Sequence, residues 1–136
     1  MNITFEGAVP DFITEEMQKL SDFVVEYFGP GLDCEVVMVF DDNMAEHEHG
    51  FIGQTNDDSY EAEINSNMSY EETIRSIFHE MVHAHQLFSG KLVVEKSNKY
   101  WEGQCFSQCE YSDSPWEIEA HQKENDMYSL WEFKYG

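Results

Sequence analysis

Two histidines with a glutamate directly after the first of them are the residues whose spacing most clearly suggests chemistry. They occur in the stretch His79-Glu80-Met81-Val82-His83. On a helix, His79 and His83 lie one turn apart on the same face, so both imidazoles can bind one zinc ion. Glu80 would lie beside the ion without binding it, placed to take a proton from a zinc-bound water. The pattern predicts zinc-dependent hydrolysis; the alternative is a helix that carries two histidines by chance.

The segment around these residues has the periodicity of a helix. Ser69 and Glu72 form the S-x-x-E pattern of a capping box, so we predict that the helix begins near residue 70, and Gly90 is typical of the position after a helix end. Apolar side chains share the face opposite the two histidines: Ile74, Ile77, Phe78, Met81 and Phe88. His85 winds onto this apolar face, which indicates a core or supporting histidine rather than a metal ligand.

A third ligand is expected on the last predicted helix, because a catalytic zinc site usually has three protein ligands and one position for water. The candidates are Glu117, Glu119 and His121. An apolar stripe by which this helix would pack consists of Trp116, Ala120, Met127 and Trp131. Because Ala120 is small, the helix can approach another closely, and a carboxylate one turn earlier would point into the joint. The alternative role for Glu117 is the second half of a capping box with Ser114.

The remaining pattern predicts an α+β domain with a coarse order of α-β-β-β-α-β-β-α. We expect an N-terminal helix, a small and mostly antiparallel sheet, the motif helix and a C-terminal helix. The predicted ranges are a helix at 11–28, strands at 34–40, 51–55 and 59–64, a hairpin from 91–95 and 100–106, and a helix from Ser114 to about Phe133. Residues 60–64 are expected to form an edge strand at the rim of a cleft, where they could pair with an extended substrate.

The composition indicates one small, strongly acidic domain spanning residues 1–136. Its 28 Asp and Glu residues outnumber 7 Lys and Arg residues, giving a formal net charge of −21. Phosphate contacts need Lys and Arg, so this charge argues against nucleic acid and anionic membranes as partners. The acids are spread along the chain, which favours a solvated acidic coat over the alternative, a surface for a basic protein partner.

The cysteines and the lack of an apolar leader bear on location. Cys34, Cys105 and Cys109 are an odd number without a C-x-x-C pair, and we expect three buried thiols rather than a second metal site. The sequence shows no signal peptide and no membrane-spanning stretch. We therefore expect a cytoplasmic protein.

Together the two motifs support a family resemblance. The stretches Phe78 to Ala84 and Pro115 to Ala120 resemble the gluzincin branch of the zincin metallopeptidases, in particular compact proteins of bacteriophages and bacteria that are similar in scale to SprT-like and ImmA-type domains. The resemblance covers roughly residues 59–125. It implies a minimal zincin-like fold and zinc metallopeptidase activity, with Glu117 as the third ligand. Gluzincins often place an aspartate four residues after that glutamate to orient a zinc-bound histidine. Here that position is His121, so His121 takes this role or binds the metal itself, or the orienting group comes from elsewhere.

These expectations combine into one mechanism and two alternatives. Zinc held by the two motif histidines and Glu117 would lower the pKa of a water towards about 7. Glu80 would take the proton as the water attacks a peptide carbonyl, while Tyr111, His121 or Tyr128 would donate to the developing oxyanion. One alternative is an inactive, zinc-stabilised binding protein of the same fold, for instance a phage protein that acts on a host factor in the host cytoplasm. The other is an acidic decoy or partner of basic proteins.

Overall fold

The computed structural model describes residues 2–31, 33–45, 48–96, 98–106 and 114–136. These residues form a mixed α+β fold, which confirms the predicted fold class. The elements are β1 (Asn2–Gly7), α1 (Asp11–Thr14), α2 (Met17–Phe28), β2 (Glu35–Asp41), β3 (Gly50–Asn56), β4 (Ser59–Asn65), α3 (Tyr70–Phe88), β5 (Leu92–Glu95), β6 (Asn98–Trp101), β7 (Gln104–Cys105) and α4 (Pro115–Tyr135). No helix in these ranges is long and apolar enough to cross a membrane.

The larger sheet has four strands in the order β1-β2-β4-β3. β1 and β2 are parallel, β2 and β4 are parallel, and only β3 and β4 are antiparallel. The prediction of a mostly antiparallel sheet is therefore wrong for this sheet. The reason lies in β1, which the sequence reading missed. α1 and α2 connect β1 to β2, and a helical crossover between neighbouring strands makes them parallel.

β4 lies inside the sheet, and this changes which strand can meet a substrate. Its Ala62 is paired on one side with Met38 of β2 and on the other with Ile52 of β3. The expectation that residues 60–64 form a free edge is therefore wrong. At this side of the sheet the edge strand is β3, whose backbone pairs with β4 alone among the described strands.

Two other elements differ from their predicted forms. The single helix predicted at 11–28 is divided into α1 and α2, because Glu16 has φ −113° and ψ 6°, outside helical values. The predicted two-stranded hairpin after α3 is a three-stranded antiparallel sheet, β5-β6-β7. Its second turn contains Glu102 and Gly103, both with positive φ. Cys34 is buried as predicted, whereas Cys105 at the end of β7 is exposed, and Cys109 lies outside the described residues.

The core lies between the four-stranded sheet and the helices, with α3 at its centre. Buried side chains of α3, including Ile74, Ile77, Phe78 and Met81, belong to one hydrophobic cluster with α2, α4 and the sheet. His85 also lies on this side, where its ring stacks on Phe28 at 4.9 Å between centroids. The prediction that His85 lies on the apolar face, away from the two motif histidines, therefore agrees with its position.

Both ends of α3 follow the local signals in the sequence. The Ser69 hydroxyl accepts a hydrogen bond from the Glu72 backbone, and the Glu72 carboxylate accepts one from the Ser69 backbone, so the capping box is complete. The helix ends at Phe88, and Gly90 follows with φ 79°, a value that glycine tolerates best. α3 is thereby fixed at both ends around the histidines that it carries.

Candidate metal centre

Three side chains from two helices converge on one small volume. The Nε2 atom of His79 lies 3.0 Å from Oε1 of Glu117, and Nε2 of His83 lies 3.1 Å from Oε2 of the same carboxylate. The two Nε2 atoms are 3.2 Å apart. A tetrahedral ion with bonds of about 2.0–2.1 Å holds its ligands about 3.3 Å from one another. The spacing of these nitrogen and oxygen donors therefore fits a single zinc-sized ion.

Packing of α4 against α3 brings the carboxylate to the histidines. The predicted apolar stripe of α4 is buried, and Ala120 has no exposed surface. Glu117, one turn before Ala120, points into the joint between the helices and is itself buried. The side chain of Ser114 makes no capping hydrogen bond. The position of Glu117 thus matches the ligand expectation rather than the capping-box alternative.

A carboxylate contacts the second ring nitrogen of His79, Nδ1. Nδ1 of His79 lies 3.0 Å from Oε1 of Glu124, and Nη1 of Arg75 donates to the other oxygen of Glu124 at 3.3 Å. A hydrogen bond from Nδ1–H fixes the ring orientation and leaves the Nε2 lone pair available for a metal. Glu124 thus contacts His79 where an orienting group is expected, the position for which the sequence suggested His121.

A side-chain amide contacts Nδ1 of His83 in the same way. Nδ1 of His83 lies 2.8 Å from Oε1 of Gln86, which has no exposed surface. Nε2 of Gln86 donates to the carbonyl oxygen of Trp116 at 3.0 Å and to Glu119 at 3.1 Å. Glu119 also pairs with Lys91 and is not one of the three converging donors.

His121 lies next to the centre but outside the donor set. Its ring centroid is 4.7 Å from that of His79, its Nδ1 lies 3.9 Å from Glu124, and its side chain is largely exposed. His79, His121 and Glu124 form a second group that could hold a metal, but this group shares His79 with the first. Among the described residues, the group of His79, His83 and Glu117 is the one whose members are all buried.

Glu80 is a buried acid without a full set of partners. Its side chain is 5% exposed, and its Oε2 atom has no hydrogen-bond partner among the described residues. Burial raises the pKa of its carboxyl, although the nearby His83 and His79 oppose this. A desolvated and unpartnered carboxylate destabilises a fold, so its presence beside a cleft is typical of a functional group.

The electrostatics of the cluster favour positive charge among the donors. Burial lowers the pKa of His79, but hydrogen bonds to Glu117 and Glu124 and the surrounding carboxylates outweigh it, and the pKa is raised to about 9. Burial raises the pKa of Glu117, but hydrogen bonds from His79 and His83 hold it well below its ordinary value. The same buried carboxylate that stabilises an imidazolium here can stabilise a divalent cation.

A cleft gives access to this cluster. A cavity of roughly 790 Å³ is lined by β3, by His79, Glu80 and His83 of α3, and by Glu117 of α4. A second cavity of roughly 400 Å³ is lined by Glu80 and by His121. Volumes of this order are typical of ligand-binding sites.

The predicted oxyanion donors differ in their positions. Tyr111 lies outside the described residues. His121 lines the smaller cavity, whereas Tyr128 lines neither cavity and packs against Arg75, whose guanidinium carbon is 4.5 Å from the ring centroid. Of the two candidates among the described residues, His121 is the one that the structure places beside the cleft.

Two residues of the site were not assigned a role from the sequence, although each carried a signal. Glu124 lies seven residues after Glu117, which is two turns along the same face of α4, and Gln86 lies three residues after His83 on α3.

No protein-family model, curated protein or solved structure matches this chain. The resemblance to gluzincins therefore remains a prediction, and the functional argument depends on the geometry of this site.

Proposed function

We propose that this chain is a zinc-dependent metallopeptidase that hydrolyses bonds in a peptide or protein substrate. The observation that carries the proposal is the convergence of His79, His83 and Glu117 at the spacing of zinc ligands, with the unpartnered acid Glu80 directly beside them. The set of two imidazoles and one carboxylate is common in catalytic zinc sites. The adjoining cleft supplies room for a substrate.

Each residue has a distinct role in this mechanism. His79, His83 and Glu117 would hold the ion, while Glu124 and Gln86 keep the two imidazoles in the orientation that presents Nε2. When bound, zinc acts as a Lewis acid and lowers the pKa of water towards about 7.

Glu80 moves the proton in this scheme. It accepts a proton from the attacking water and passes it to the leaving amine, and its raised pKa suits both steps. His121, beside the smaller cavity, is positioned to donate a hydrogen bond to the oxygen of the peptide carbonyl as negative charge develops there.

The edge strand β3 would align the substrate. All seven of its residues, Gly50–Asn56, line the larger cavity. An extended peptide can add to such an edge through main-chain hydrogen bonds. The substrate would therefore pair with β3 and not with residues 60–64.

Metal analysis of purified variants, combined with a peptide-cleavage assay, tests the proposal. We expect the wild type to bind one zinc ion per chain and to lose cleavage when the ion is chelated. Glu117→Gln should lose stoichiometric zinc, and Glu80→Gln should keep zinc but lose cleavage. Glu132→Gln, an exposed glutamate on the same helix as Glu117, is the matched control and should change neither quantity.

The same variants separate this proposal from its alternatives. Retained zinc together with no cleavage by the wild type would favour a zinc-stabilised binding protein. The net charge of −21 supports a third candidate, an acidic partner of basic proteins. Salt-sensitive binding to a basic protein that persists after chelation, with no dependence on Glu117, would favour that candidate.

A further inference from the structure

Two adjoining cavities meet next to the candidate metal centre. Both are lined by His79 and Glu80, and Gly50 and Phe51 of β3 line both as well. All three donors line the larger cavity, and the cleft continues past His79 and Glu80 into the smaller one. This position suits a chain that continues in both directions beyond the bond to be cleaved.

One part of the larger cavity's lining is apolar, and the rest is polar or charged. The apolar side chains come from β3, α3, β5 and α4: Phe51, Ile52, Leu87, Leu92, Val94 and Trp116. Lys99 is the one cationic side chain among its described lining residues, and its Nζ lies 5.4 Å from the centroid of the Trp116 ring. The apolar part of this lining favours apolar side chains of a bound segment, because their burial removes apolar surface from water.

The smaller cavity differs in its charge balance. The larger cavity has the cationic Lys99 beside its carboxylates, which belong to Asp57, Glu80 and Glu117. Carboxylates of Glu48, Glu80 and Glu124 line the smaller cavity together with the imidazoles of His49 and His121, and no lysine or arginine is among its described lining residues. Glu80, whose buried Oε2 atom has no hydrogen-bond partner among the described residues, is one of these lining residues. Carboxylates in a partly enclosed cavity attract cationic groups, and the net charge of −21 extends this attraction over the surface.

We propose that the preferred substrate is an internal segment of an extended, basic polypeptide. Its apolar side chains would occupy the larger cavity, and a lysine or arginine on the other side of the cleaved bond would occupy the smaller one. This inference depends on the proposed peptidase function and adds the substrate class to it. Glu48 is the exposed carboxylate of the smaller cavity and would contribute to selection of the cation.

Blocked synthetic peptides test the position of the cleaved bond and the preference for a cation. Each peptide is acetylated and amidated, carries a short apolar run, and has a single Lys, Gln or Glu at one position before or after that run. We expect cleavage of internal bonds by the zinc-loaded protein, with kcat/KM about ten-fold higher for Lys than for Glu and an intermediate value for Gln. This preference should occur on one side of the bond only. Unblocked versions of the same peptides serve as the comparison. Removal of terminal residues alone from these versions, with no cleavage of the blocked peptides, would overturn the inference, as would equal rates for Lys, Gln and Glu.

A charge-reversal pair tests the role of the smaller cavity. Glu48→Lys should reduce the preference for Lys over Glu by about five-fold, the order expected for one partly screened ion pair. Glu15→Lys makes the same change in net charge at an exposed position that lines neither cavity, so it should leave the preference unchanged. Equal effects of the two variants would show that only net charge matters and would overturn the assignment to the cavity.

A binding measurement separates failure of this inference from failure of the proposed function. Fluorescence anisotropy of labelled Lys and Glu peptides with zinc-loaded Glu80→Gln should show tighter binding of the Lys peptide. If the wild type cleaves nothing while this difference persists, the peptidase proposal fails and the cation-selective cavity stands. If the wild type cleaves without any cation preference, the peptidase proposal stands and the inference fails.

Discussion

Nδ1 of His79 lies 3.0 Å from Oε1 of Glu124, and this contact couples a predicted metal ligand to a carboxylate two turns beyond another ligand, Glu117. α4 therefore contributes to the candidate metal centre at two positions: Glu117 lies among the converging donors, and Glu124 contacts the ring of His79. Arg75 holds the far oxygen of Glu124, so the carboxylate has little freedom to turn away.

We expect Glu124→Gln to weaken zinc binding by about 10- to 100-fold, the effect usual for loss of a supporting partner of a metal-bound histidine. The amide can turn its oxygen towards Nδ1, but it carries no charge to make the imidazole a better ligand. Competition with a chromophoric chelator measures the affinity. Asp126→Asn, two residues further along α4 and away from both cavities, is the control. Equal zinc affinities of wild type and Glu124→Gln would contradict this role.

Gln86→Leu should destabilise the metal-free protein by about 1–3 kcal/mol, because the change leaves buried hydrogen-bonding groups of His83 and Trp116 without their partner. Urea unfolding in the presence of a chelator measures the free energy of unfolding without a contribution from bound metal. Gln18→Leu removes an exposed glutamine that bonds only to Asp22 in the described structure, and should change stability by less than about 0.5 kcal/mol. Similar losses in the two variants would show that the buried contacts of Gln86 contribute little.

Glu80→Leu should stabilise the metal-free protein by about 1–3 kcal/mol, although it removes the proposed proton acceptor. The physical reason is that Glu80 is buried and has one carboxylate oxygen without a partner, so an apolar side chain avoids the desolvation of that charge. The midpoint of thermal unfolding, measured with a chelator present, should rise. A fall in the midpoint would indicate that Glu80 stabilises the fold and would weaken the argument from its unpartnered oxygen.

Tyr70 should make stability depend on pH in the alkaline range. Burial and the hydrogen bond from its hydroxyl to Glu16, at 2.8 Å, raise the pKa of Tyr70 to about 12, above a value of about 10 in the unfolded chain. The folded protein therefore keeps a proton that the unfolded chain loses between these values. This contribution to stability is complete below about pH 10 and is lost as the pH rises towards 12.

Absorbance of tyrosinate at 295 nm measures this titration directly. Tyr70→Phe should remove one late-titrating group and reduce the alkaline decline in the free energy of unfolding. Glu16→Gln should lower the pKa of Tyr70, because it removes the carboxylate but keeps the side-chain size. An alkaline titration that is the same in wild type and Tyr70→Phe would show that Tyr70 is not the group responsible.

Local patterns in the sequence were sufficient for the helix that carries the histidines. The Ser69–Glu72 capping box and the spacing of His79 and His83 depend on residues a few positions apart, so they can be read without knowledge of the fold. The proximity of Glu117 to α3 could also be predicted from the sequence, because the small residue Ala120 permits close packing of the two helices.

The remaining features depend on neighbours that are distant in sequence. The alternating pattern of β4 shows which side chains are buried, but not that β2 and β3 lie on either side of it. Likewise, nothing in the stretch around Glu124 reveals that its oxygen meets Nδ1 of His79, since that contact depends on the angle at which α4 crosses α3. The strand order, and the contacts of Glu124 and Gln86 with the Nδ1 atoms of the two histidines, were therefore found only in the structure.

The separation of the three donors along the chain has a consequence for biosynthesis. Glu117 follows His79 by 38 residues and His83 by 34. A ribosome that has just released α3 has delivered two imidazoles but not the carboxylate, which can join them only after α4 has emerged and docked. Under the proposed peptidase function, a nascent molecule would thus not cleave neighbouring newly made chains until α4 is in place.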